Sequence, residues 1–132
     1  MEIKPILKAM LICDYTMIEH GTFKRSLIGL FDNINASAFP TAHPAMSVYV
    51  LFREVEGRFD FTLELYDLNE AKSINKAVIK DYPVPHKQRD CELVFNLMNV
   101  RFPHAGEYEF RITINDLIFG QKYLRVSKKE DK

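Results

Sequence analysis

The feature that most constrains this chain is an alternation of apolar and polar residues with period two. In the stretch from Glu107 to Ile114, Tyr108, Phe110, Ile112 and Ile114 fall on one side, and Glu107, Glu109, Arg111 and Thr113 on the other. Successive side chains of a β-strand point to opposite faces, so this is the pattern of a strand with one face in a core. Arg58 to Leu65 repeats it, with Phe59, Phe61, Leu63 and Leu65 inward. Ser47 to Phe52 is apolar on both sides and rich in β-formers, which reads as a central strand. Leu7–Ile18, Phe23–Ala36, Cys91–Val100 and Leu117–Val126 supply further strand candidates.

Turn chemistry separates these runs. Asn115-Asp116 tolerates the positive φ of a tight hairpin. Glu56-Gly57 reads as a second short hairpin, and His20-Gly21 as the turn between the first two strands. Pro40, Pro44, Pro83, Pro85 and Pro103 mark longer connections outside central strands, because proline cannot donate to a ladder. Residues 69–78 admit either a short amphipathic helix or a turn leading into a strand. The second is preferred, because Ala77 to Tyr82 is rich in β-branched and aromatic residues.

About eight short strands at this spacing predict an all-β fold, an antiparallel β-sandwich that is Ig-like in general architecture, with a closed barrel as the alternative. The chain contains no Trp, so it is not an antibody-type domain. Its 132 residues are the size of one domain, expected over residues 1–126, with a polar tail at 127–132.

Composition narrows the function classes. Lys plus Arg number 18 and Asp plus Glu 18, so the basic excess that phosphate binding demands is missing and no nucleic-acid partner is expected. The longest apolar run near the N-terminus, Ala9 to Cys13, is too short for a signal core or a membrane span. A cytoplasmic location with no membrane partner is therefore expected. Cys13 and Cys91 each sit in an apolar run and read as buried, reduced thiols. No metal-ligand spacing, nucleophile elbow or phosphate-binding glycine cluster occurs, so neither a cofactor nor a metal site is assigned.

Three stretches carry a resemblance: Leu11-Ile12-Cys13-Asp14, then Ser26 to Asp32 (SLIGLFD) with Phe39-Pro40 following, and Phe102 to Phe110 (FPHAGEYEF). In this order the chain resembles an uncharacterised family of small bacterial β-sandwich proteins, a domain of unknown function, from about Leu11 to Val126. The resemblance implies a bacterial source and a sandwich fold. It supplies no activity and no catalytic residues.

Candidate chemistry reduces to a few side chains. On an alternating strand order His20 and His86 fall at one pole, and His43 and His104 at the other. Asp14 and Asp32 could act as an acid pair only if brought together, and the first hairpin is expected to set Asp14 opposite Leu27 and Asp32 opposite Ala9. The remaining candidate is a loop pole holding Phe39, Pro40, His43, Phe102, Pro103 and His104, where aromatic area, stiff turns and imidazoles would meet. The favoured reading is a non-enzymatic binding or assembly module for an unidentified protein or small molecule. A small metal-dependent or hydrolytic enzyme using His43 and His104 is the alternative, and a structural homo-oligomer subunit the third. A homodimer is expected, since an open sandwich has sheet edges to protect.

Overall fold

A computed structural model of the chain describes residues 5–85 and 90–129. The strands are β1 (Ile6–Ile18), β2 (Arg25–Leu30), β3 (Asn33–Ala36), β4 (Thr41–Arg53), β5 (Gly57–Asp67), β6 (Lys72–Val84), β7 (Cys91–Phe102), β8 (Gly106–Ile114) and β9 (Leu117–Lys128). There is no helix among the described residues, so residues 69–78 form a turn and then β6. No described helix is long and apolar enough to cross a membrane.

The strands form two sheets, β2-β1-β4-β7 and β3-β9-β8-β5-β6. Their inner faces make the core, and the alternation in the sequence explains why. Phe61, Leu63 and Leu65 of β5 and Tyr108, Phe110, Ile112 and Ile114 of β8 are all buried, against Val48, Val50 and Phe52 of β4. The polar side of β8 faces outward, where Arg111 bonds Glu109 at 2.8 Å and lies 3.7 Å over the Tyr66 ring. The neighbours β1-β4-β7 and β5-β8-β9 reproduce the A-B-E and C-F-G groupings of an immunoglobulin-type sandwich.

Several boundaries differ from the sequence-based expectation. The run Phe23–Ala36 is two strands: β2 pairs with β1 in one sheet, and after Phe31-Asp32 the chain crosses sideways to pair β3 in parallel with β9. Glu56-Gly57 joins β4 to β5 across the two sheets and is not a hairpin. Asn115-Asp116 is one, with φ of 48° and 72°. Pro44 lies inside β4, but above the point where β1 stops pairing at Cys13↔Ser47. Ser127 and Lys128, the first two residues of the expected tail, belong to β9 and pair with Asn35 and Ala36.

The β1–β2 hairpin leaves the sheet plane. Arg25 Nε lies 3.7 Å from Glu92 Oε1, yet β1 and β4 stand between β2 and β7. Three strand spacings amount to about 14 Å, and the Ile18↔Arg25 rung is about 30 Å along the strands from the row of Ala9, Leu51 and Glu92. An arginine and a glutamate cannot span that. The hairpin therefore folds back over the outer face of its own sheet, where Cys13, Ser47 and Tyr49 are buried outside the main core. The bend falls at Gly29, whose φ is +72° and which stands opposite Asp14. A Cβ there would collide with the Asp14 carboxylate.

Candidate functional site

The two Phe-Pro units lie side by side. Thr41 pairs with Phe102, which sets the loop before β4 against the loop after β7. Phe102 is fully buried, edge-on to Tyr108 at 5.1 Å, and Phe39 is half-buried against the core. Pro40 (in a cis peptide) and Pro103 are exposed. The histidines, however, are directed to different flanks. His104 reaches the end of β5, whereas His43 lies against Phe31 beside β3.

The His104 flank is a closed hydrogen-bond network. Asp67 continues the inward parity of Phe61, Leu63 and Leu65 and is fully buried. Its Oδ1 accepts the backbone N–H groups of Asn69 (3.0 Å) and Glu70 (3.1 Å), and its Oδ2 lies 2.7 Å from His104 Nε2. His104 Nδ1 lies 2.8 Å from the Ala105 carbonyl. Both ring nitrogens thus face oxygen acceptors, an arrangement only the imidazolium satisfies on both sides. The Ala105 carbonyl first, and then Asp67 and Glu70 against the opposing effect of burial, hold His104 above the usual histidine range. Tyr108 donates its hydroxyl to the His104 carbonyl at 2.6 Å, four residues back, which is the tyrosine corner of such sandwiches. Gly106 is required by close approach, since a Cβ would collide with the Asn69 carboxamide that accepts the Glu107 N–H. Among the described residues no buried side-chain nitrogen or oxygen lacks a hydrogen-bond partner. Asp67 was missed from sequence, although an acid at the next inward position after Leu65 was the available signal.

The His43 flank is open. Above Ser47, β4 has lost β1 as a neighbour, and β3 is paired only with β9. Between β3 and the start of β4 lies a cleft of about 360 Å³, lined by Asn35, Thr41, His43 and Lys129 among others. A second of about 420 Å³ adjoins it around Asp14, Phe31 and Asn33, and Ile34, Asn35 and His43 line both. His43 meets the Phe31 ring at 5.7 Å between centroids.

The other candidates are dispersed. His20 is exposed at the tip of the folded-back hairpin, and His86 lies outside the described residues. Asp14 stands opposite Gly29 rather than Leu27, because the β1–β2 loop is longer than a two-residue turn. Asp32 lies in the crossing to β3, where its carbonyl accepts the Arg125 N–H at 2.9 Å. No group of three or more His, Cys, Asp or Glu side chains able to hold a metal converges among the described residues. Cys13 and Cys91 are free and buried. Burial, and then neighbouring Glu92, push the Cys91 thiol up to about 11, and burial followed by Asp14 raises Cys13.

No match was found among curated protein sequences. Among solved structures the chain is similar to an alkylpurine DNA glycosylase of Pseudomonas fluorescens, at 8% identity and a TM-score of 0.51. The likeness covers 89% of this chain but only 30% of the glycosylase, and it shows the fold alone. An immunoglobulin-like protein of Pseudomonas aeruginosa is also similar, at 14% identity and a TM-score of 0.46, over 93% of this chain and 96% of that one. A family model of unknown function, DUF6941, matches residues 8–127, and the chain belongs to that family.

Proposed function

We propose that this protein is a non-catalytic binding module whose cleft between β3 and the upper part of β4 receives an extended polypeptide segment. One observation carries the reading: two strands, each paired on a single side, bound the same cleft. Unpaired strand edges present rows of backbone donors and acceptors, which is how sheets recognise added strands. The side chains around the cleft suit that role. Asn33 and Asn35 each offer both donor and acceptor groups, Phe31 offers apolar area, and Lys129 supplies a positive charge at one end. The enzyme alternative needs His43 and His104 to work together, and they are engaged on opposite flanks.

Selection from a displayed library of random peptides, followed by amide chemical-shift mapping, tests the proposal. The expected result is a selected peptide whose shifts concentrate at Asn33–Ala36 and Thr41–His43, with binding weakened about tenfold or more by His43→Ala or Asn35→Ala. Selected peptides that perturb a different surface, or a panel that yields none, would overturn it.

A further inference from the structure

Above the Cys13↔Ser47 rung β1 and β4 part, yet both continue as strands: β1 runs on to Ile18, and β4 begins at Thr41. The backbone leaves matching groups on the two sides of that gap. The Ile12 carbonyl accepts the Phe31 N–H from the β2 side, so by alternation the backbone groups of Cys13, Tyr15 and Met17 point away from β2. On β4 the same alternation turns the backbone of Ser47, Ala45 and His43 toward the place that β1 has left, and Ala45 is exposed there. The register that sets Leu11 opposite Tyr49 and Cys13 opposite Ser47, continued upward, sets Tyr15 opposite Ala45 and Met17 opposite His43. Pro44 is no obstacle, since its nitrogen is turned to the β7 side.

We infer that the β1–β2 hairpin is a two-position flap that regulates the cleft, the occupant of the closed state being the upper part of β1 itself. The inference rests on the peptide-binding reading of the cleft. With the hairpin folded over the outer face of its sheet, the β4 edge is free; with the hairpin straight, β1 takes the edge a peptide would use. Gly29 is the hinge, with its positive φ opposite Asp14. Asp14, Gly29, Leu30 and Phe31 also line the second cleft, so a swing about that point reshapes the cleft wall directly. The latch is Arg25, 3.7 Å from the Glu92 carboxylate that accepts the Tyr49 hydroxyl. Cys13 Sγ lies 3.5 Å from the Tyr15 carbonyl, a weak partner where the straight hairpin would receive the Ala45 amide. Each position therefore satisfies groups that the other leaves open. A peptide that binds the free edge holds the hairpin folded, and its apparent affinity falls with the fraction of molecules that are straight.

Disulfide trapping in the full chain tests this. The straight register sets Ile18 opposite Ala42. In the folded position Ile18 stands opposite Arg25, which is held at Glu92 in the Leu51 row, about 30 Å along β4 from Ala42. Ile18→Cys/Ala42→Cys should form an intrachain disulfide under mild oxidation. The oxidised form should bind peptides selected against the parent about a hundredfold more weakly, and reduction should restore them. Arg25→Gln, which lies outside the cleft, should speed the cross-link and raise the parent's dissociation constant about threefold or more. Hydrogen exchange at the Ala45 and His43 amides, which needs no new cysteine, should slow in Arg25→Gln. The inference is overturned by the absence of an intrachain cross-link with and without Arg25→Gln, by a disulfide that forms only between two chains, or by an oxidised form that binds as tightly as the reduced one. Cross-linking and exchange are read without peptide, so the swing stands or falls on them even where peptide selection fails and the cleft reading is lost.

Discussion

The two Phe-Pro-histidine units look alike in the sequence and end in opposite situations. At His104 the polar groups are satisfied inside the chain: a buried carboxylate, two turn amides, a tyrosine hydroxyl and an imidazole form one network. At His43 the neighbours are an aromatic ring and a cleft between two unfinished strand edges. A histidine beside a buried acid has been enlisted for stability. The other lies against the Phe31 ring beside an open strand edge. The difference comes from what the topology places across from each residue.

The largest expected effect separates the two flanks. Asp67→Ala should cost about 3 kcal/mol or more, because it strands the two turn amides and leaves His104 without its buried partner. His43→Ala should shift stability by less than about 1 kcal/mol. Urea denaturation of both variants measures this, and comparable losses would erase the distinction. Tyr108→Phe should cost about 1–2 kcal/mol by leaving the His104 carbonyl unpaired in the corner.

A smaller effect depends on pH. His104 is held above its unfolded value of about 6.5, so its contribution is fully present below that pH and is lost as pH rises through the folded value. The parent should therefore lose stability on going upward from about pH 6.5, by less than about 1 kcal/mol for so exposed a ring, while His104→Gln should show a flatter profile. A profile unchanged by that substitution would remove His104 from the network. The smallest change is expected for Asn35→Ala, whose urea midpoint should stay within about 0.5 kcal/mol of the parent even where peptide binding falls. That outcome would sharpen the view of the cleft as a surface kept for recognition.

Much of the fold was legible because alternation reports facing. The inward sets of β5 and β8 follow directly from it, as does the hairpin at Asn115-Asp116. Alternation says nothing of which strand lies next door. It therefore missed the sideways step at Phe31-Asp32, where neither glycine nor proline marks the change of sheet, and it took Glu56-Gly57 for a hairpin when it bridges two sheets. The register of the first hairpin slipped by two residues because loop length, unlike facing, leaves no period-two trace. Of the site, the juxtaposition of the two loops could be read from strand order, but the separation of the histidines could not. It depends on Asp67 drawing one imidazole toward β5, and on the loss of β1 beside β4 leaving the other at an open edge.

The sideways step at Phe31-Asp32 also fixes how this molecule can be handled. It divides one run into two strands and makes their number odd, so the described chain enters at one pole and leaves at the other. Ile6 pairs with Arg53 far from the cleft, whereas Lys129 is part of the cleft wall. An affinity handle or fluorophore joined after Lys129 would sit over the opening and compete with whatever enters it. The same appendage placed ahead of Ile6 would hang from the opposite end and leave the opening clear.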